Sequence, residues 1–125
     1  MKTMTELHTR MTNLFEDLLH EDGLNEIQAA YKLPEEFARD INTPDDKARF
    51  YAVLFVNLFE RRLNPVPMLR DVLVNPDTFE LLTAQGHALQ NLIGSFQQAF
   101  CEVSPATKRD IRAFIQPYIQ SPKTV

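Results

Sequence analysis

The run FYAVLFVNLF, residues 50–59, constrains this chain more than any other feature. Asn57 is its single polar side chain, and the run gives way at once to Glu60-Arg61-Arg62 and the break at Asn64-Pro65. It is far shorter than the roughly 20 apolar residues that a membrane span needs. It must therefore be buried inside the protein or against another chain. Plotted at about 100° per residue, it carries two stripes. Phe50, Leu54 and Leu58 form one; Phe55, Phe59 and Leu63 form another on roughly the far side, with Tyr51, Val53 and Val56 between. A helix that is apolar all round is buried all round. The pattern predicts a central helix over residues 44–63, with the other helices packed around it or with one face against another chain.

Three helix starts share one chemistry: Thr43-Pro44-Asp45-Asp46, Asn75-Pro76-Asp77 and Ser104-Pro105. A cap side-chain oxygen accepts an otherwise unpaired backbone N–H. Proline has no N–H to leave unpaired there, and its φ already suits a helix. Aspartates in the first turn oppose the positive end of the helix dipole. The segments between these starts share no repeating pattern, so the chain does not read as a solenoid.

Spacing predicts the rest. Met4, Leu7, Met11, Leu14 and Leu18 recur at three and four residues, giving a helix over 4–21 that Asp22-Gly23 ends. A short helix over 25–32 places Leu24, Ile27 and Tyr31 inward, and Leu33-Pro34 is expected to interrupt it, because the residue before proline is pushed out of helical geometry. Phe37 and Ile41 follow in a further turn or two, and a short helix ends near Val74. A long helix over 76–101 carries Phe79, Leu82, Gly86, Leu89, Ile93, Phe96 and Phe100 as a seam. A last helix over 105–116 buries Ile111, Phe114 and Ile115 before Pro117 stops or kinks it. No segment alternates as a strand. The expected fold is all-α: a single-domain helical bundle over residues 1–120, of four main helices plus two or three short ones, with 121–125 a loose tail.

Charge and chemistry narrow the function classes. The net charge of −4 disfavours binding to nucleic acid, which depends on neutralising phosphates. Lys108, Arg109 and Arg112 on the last helix are a small cationic footprint for that task. Residues 1–47 hold 11 acids against 5 bases, and residues 48–125 hold 6 against 8. That asymmetry reads as a solvated acidic face, or as a surface for a basic partner. The single cysteine, Cys101, excludes an intrachain disulfide and fits a reducing, cytoplasmic setting. The N-terminus has no apolar run of signal-peptide length.

Catalytic and metal patterns are not found. Glu16 and His20 lie four apart on one helix face, but a di-iron bundle needs Glu-x-x-His pairs, and the chain has none. His87 and Cys101 would stand about 21 Å apart along one helix, too far for a dyad. No phosphate loop, nucleophile elbow or dinucleotide fingerprint occurs. No catalytic, cofactor-binding or metal residue is expected, and the chain reads as a non-enzyme. It reads as a small acidic helical regulator, adaptor, chaperone or antagonist that buries the surface of a protein partner or of a second copy in a homodimer. The candidate interaction surface is Tyr51, Phe55, Phe59, Arg61, Arg62 and Leu63. The alternative is a binder of a small apolar ligand in the helical core, where Gly86, Ala88 and Gly94 could leave space.

Overall fold

The computed structural model describes residues 3–61 and 90–120. Among them all regular secondary structure is helical, with no strand: five α-helices and one 3-10 turn. The expected count of four main helices with short satellites is therefore not matched exactly as drawn. The expectations for residues 62–89, including the Asn75-Pro76 cap and the seam from Phe79 to Leu89, lie outside the described residues, as do Gly86, Ala88 and the tail.

Helix α1 spans Met4–His20. Its start is a reciprocal cap: the Glu6 amide donates to Thr3 Oγ1 at 3.1 Å, and the Thr3 amide donates to Glu6 Oε1 at 3.0 Å. Two of the orphan N–H groups of the first turn are thereby satisfied. Leu7, Met11, Phe15 and Leu18 are buried. The helix closes through Gly23, whose φ of 70° lies in the left-handed region, as the Leu24 amide reaches back to the Leu18 carbonyl at 3.2 Å. Only glycine takes that φ without strain.

Helix α2 spans Glu26–Glu36 and starts on a second reciprocal cap between Asn25 and Gln28. One expectation fails here and another holds only in part. Pro34 lies inside the helix rather than interrupting it, and the buried face is Ala29, Ala30 and Leu33. Leu24, Ile27 and Tyr31 are only partly buried, packed against the core from its edge. The proline forgoes one backbone bond. Staying helical places Leu33 and Phe37 in the core, and the Phe37 amide closes the turn on the Leu33 carbonyl at 3.0 Å. Tertiary burial outweighs the local preference. A 3-10 turn, Ala38–Asp40, leads to α3.

Helix α3 spans Pro44–Glu60, with Thr43 Oγ1 accepting the Asp46 amide at 3.1 Å and Pro44 in the first turn. Every residue from Phe50 to Leu58 is buried. The helix packs against all four other α-helices, which is how one segment can be buried all round. Helix α4, Gln90–Glu102, applies Leu92, Ile93, Phe96, Ala99 and Phe100 to it. Helix α5, Pro105–Gln120, lays down a narrow stripe of Thr107, Ile111 and Ile115. Its start is capped as expected: the Thr107 amide donates to Ser104 Oγ at 3.2 Å. Pro117 was expected to stop or kink this helix, yet the helix runs through it to Gln120. Pro117 and Ala113, whose carbonyl would have received the missing N–H, are both exposed, so water can take that carbonyl. Phe114 is half-buried. No helix among the described residues is long and apolar enough to cross a membrane.

Candidate interaction surface

The six residues singled out from the sequence divide by depth. Tyr51 and Phe55 are 7% and 1% exposed, so their rings serve the chain's own core. Phe55 stands edge-on to Phe96 with centroids 5.5 Å apart, the T-shaped arrangement that ring quadrupoles favour. Tyr51 lies beside Phe50 and Phe55 and hydrogen-bonds Ser95; burial pushes its hydroxyl pKa up. Phe59 and Arg61 are where α3 emerges. Arg62 and Leu63 lie outside the described residues.

Asn57 explains how the run tolerates one polar side chain. It is 1% exposed, and Thr12 of α1 donates to its Oδ1 at 3.1 Å. Its Nδ2 reaches the Val53 carbonyl at 3.4 Å. Both polar atoms thus have partners, which a buried amide requires.

Past Asn57 the character changes. Phe59 is half-buried and meets the Tyr118 ring edge-on, centroids 5.7 Å apart. Tyr118 hydrogen-bonds Glu60, and burial followed by the Glu60 charge raises its pKa. His8 Nε2 lies 3.0 Å from Glu60 Oε1, and the His8 ring stands edge-on to Phe114. Arg61 caps the helix: its amide reaches the Asn57 and Leu58 carbonyls at 3.1 Å. Its guanidinium lies 4.3 Å over the Phe15 ring, and Nη2 meets Glu16 Oε2 at 2.7 Å. Glu16 also faces His20 at 2.9 Å. The Arg61 hydrogen bond and charge, helped by His20, hold the Glu16 carboxyl below its ordinary pKa. Arg61 Nε is buried without a partner.

The site is thus a half-open cluster of Phe59, Phe114 and Tyr118 with His8 and Glu60 at its edge, while Arg61, next along the chain, turns to Phe15 and Glu16. Of the residues named from the sequence, Phe59 and Arg61 lie at this end of α3, and Glu16 stands beside His20 as their spacing on one helix face predicts. Sequence reasoning missed His8, Phe114 and Tyr118, because their partners are far along the chain. Among the described residues no group of three His, Cys, Asp or Glu side chains could hold a metal ion. Cys101 is half-buried. Lys108 and Arg112 each lie over the Phe100 ring, so part of the cationic footprint of α5 is used in packing. Compared with known proteins, the chain matches no family model, and no curated protein or solved structure is significantly similar to it.

Proposed function

We propose that this chain is a non-catalytic protein–protein interaction module: a small acidic helical regulator, adaptor, chaperone or antagonist. It acts from a single helical bundle, in a cytoplasmic setting, by burying a surface of a protein partner or of a second copy against the end of α3. The observation that carries the reading is the half-buried Phe59, whose ring packs on Tyr118 and still reaches the surface. Partner-facing aromatics beside an arginine are the side chains that interface cores favour. Arg61 is already held by Glu16 and Phe15, so little side-chain freedom is lost when a partner covers it. The alternative, a small apolar ligand in the core, draws less support. The two clefts flanking Ile41 carry charged groups in their walls, Arg39, Asp40, Asp46 and Arg49 in one and Lys47 and Glu102 in the other.

A photo-crosslinking phenylalanine analogue at position 59 tests the reading, with the same analogue at the exposed position Asn13 as the control. A discrete cross-linked species is expected from position 59 and not from position 13. The same product from both positions, or none from position 59 with concentration-independent monomer by light scattering, would overturn it.

A further inference from the structure

A second feature lies at the other end of α3. A cleft of about 250 Å³ opens between the first turn of α1, the 3-10 turn and the start of α3. Its floor is apolar, formed by Met4, Leu7, Ile41 and Phe50. Its walls carry two guanidinium groups, Arg39 and Arg49, and two carboxylates, Asp40 and Asp46, so the formal charges cancel.

These four groups are not equally engaged. Asp40 Oδ2 faces Arg10 Nη1 at 3.3 Å, and Arg49 Nη2 donates to Thr107 Oγ1 at 3.1 Å. Asp46 Oδ2 takes only a long contact, 3.4 Å, from the Asn42 amide. The Arg39 side chain is exposed and makes no hydrogen bond, ion pair or ring contact among the described residues. A free guanidinium beside an apolar floor suits a carboxylate, which it can grip through two parallel N–H groups. A simple carboxylate would also meet Asp40 and Asp46, and like charges repel. An ammonium group next to the carboxylate reverses that interaction while the carboxylate keeps Arg39. The volume decides the size: it lies below the roughly 300–1,000 Å³ of pockets for drug-sized ligands, so it suits one small molecule.

We infer that this cleft binds a free α-amino acid with an apolar side chain. The carboxylate goes to Arg39, the ammonium to Asp46 and Asp40, and the side chain to the floor of Met4, Leu7, Ile41 and Phe50. This inference stands apart from the partner surface around Phe59 and does not depend on it.

The test is a ¹H–¹⁵N NMR titration of the full chain with L-leucine and L-methionine, to about 10 mM, well above a millimolar Kd. Saturable shifts are expected at the amides of Ile41, Asn42 and Asp46. Leucinamide, which lacks the carboxylate, and 4-methylpentanoate, which lacks the ammonium, are each expected to bind at least about tenfold more weakly. Arg39→Ala is expected to weaken L-leucine binding about tenfold with an unchanged thermal midpoint, because this side chain has no partner among the described residues to lose. No saturable shift with either amino acid would overturn the inference. So would equal binding of either analogue, or unchanged binding in Arg39→Ala.

Discussion

Helix α3 meets α5 through polar groups at both of its ends, and the two ends are built differently. At the first turn, Thr107 is only 3% exposed. Its hydroxyl donates to Asp45 Oδ2 at 2.6 Å and accepts from Arg49 and Ser104 at 3.1 Å each. Every capacity of that hydroxyl is used. At the last turn, His8 and Glu60 face each other with side chains 26% and 41% exposed, among aromatic edges that stay half-open. Glu60 also bonds Tyr118 of α5, so both ends carry a polar contact between α3 and α5, the open one shared with His8 of α1. Water makes the difference. A buried hydroxyl cannot be removed without leaving its partners short, whereas a half-exposed pair can exchange its partner for water at small cost. The sealed end fixes how α5 sits, and the open end leaves its side chains partly in water.

The stretch between the two ends sets the scale against which each can be broken. Leu54 is fully buried, and Leu54→Ala is expected to lower stability by about 2–5 kcal/mol as a core truncation. Urea melts measure this, and a loss under about 1 kcal/mol would mean that the site collapses freely. Next comes the sealed end. Thr107→Val keeps the shape and removes the hydroxyl, leaving Asp45, Arg49 and Ser104 short of a partner. A loss of about 1–3 kcal/mol is expected; a neutral result would show that water replaces the hydroxyl and would erase the contrast. At the open end His8→Ala should cost about 0–1 kcal/mol, the usual worth of an exposed pair. A cost equal to that of Thr107→Val would place the two ends on the same footing.

The smallest effect depends on pH. Glu16 is held below its ordinary pKa of 4.5, chiefly by Arg61. A carboxyl lowered on folding contributes stability that is present above the unfolded pKa and lost as pH falls through the folded one. The difference in urea midpoint between the native chain and Glu16→Gln should therefore be fullest near neutral pH and vanish in acid. A difference that grew as pH fell below 4.5 would contradict the Arg61 pairing.

Local chemistry was the legible part. Thr43 and Ser104 cap as expected because a cap involves residues within three positions of one another. The burial of α3 was also legible, since a run with one polar residue has no face to offer water. Which chain covers its second stripe was not: Phe55 is covered by Phe96, and nothing in a helical wheel names the covering residue. Pro34 and Pro117 misled for a related reason. Their local preference is visible, while the burial and hydration that override it belong to the folded chain. The pairs that define the candidate surface and its counterpart, His8 with Glu60 and Asp45 with Thr107, stand 52 and 62 positions apart, beyond any spacing rule.

Asn57 carries one more consequence. Two apolar helices can slide past each other by a turn, about 5.4 Å, and still bury similar area. Oily surfaces alone therefore permit several near-degenerate packings. The bond from Thr12 to Asn57 exists in only one of them. In a slipped register the buried amide oxygen would lack its donor, a penalty of about 1–3 kcal/mol, comparable to losing a core methylene or two. The lone polar residue in the run thus selects a single alignment of α1 on α3. Replacing it with leucine should leave the chain folded while its ¹H–¹⁵N peaks near Thr12 broaden or double. One sharp set of peaks would assign the alignment to the shapes of Phe15, Leu18 and their neighbours instead.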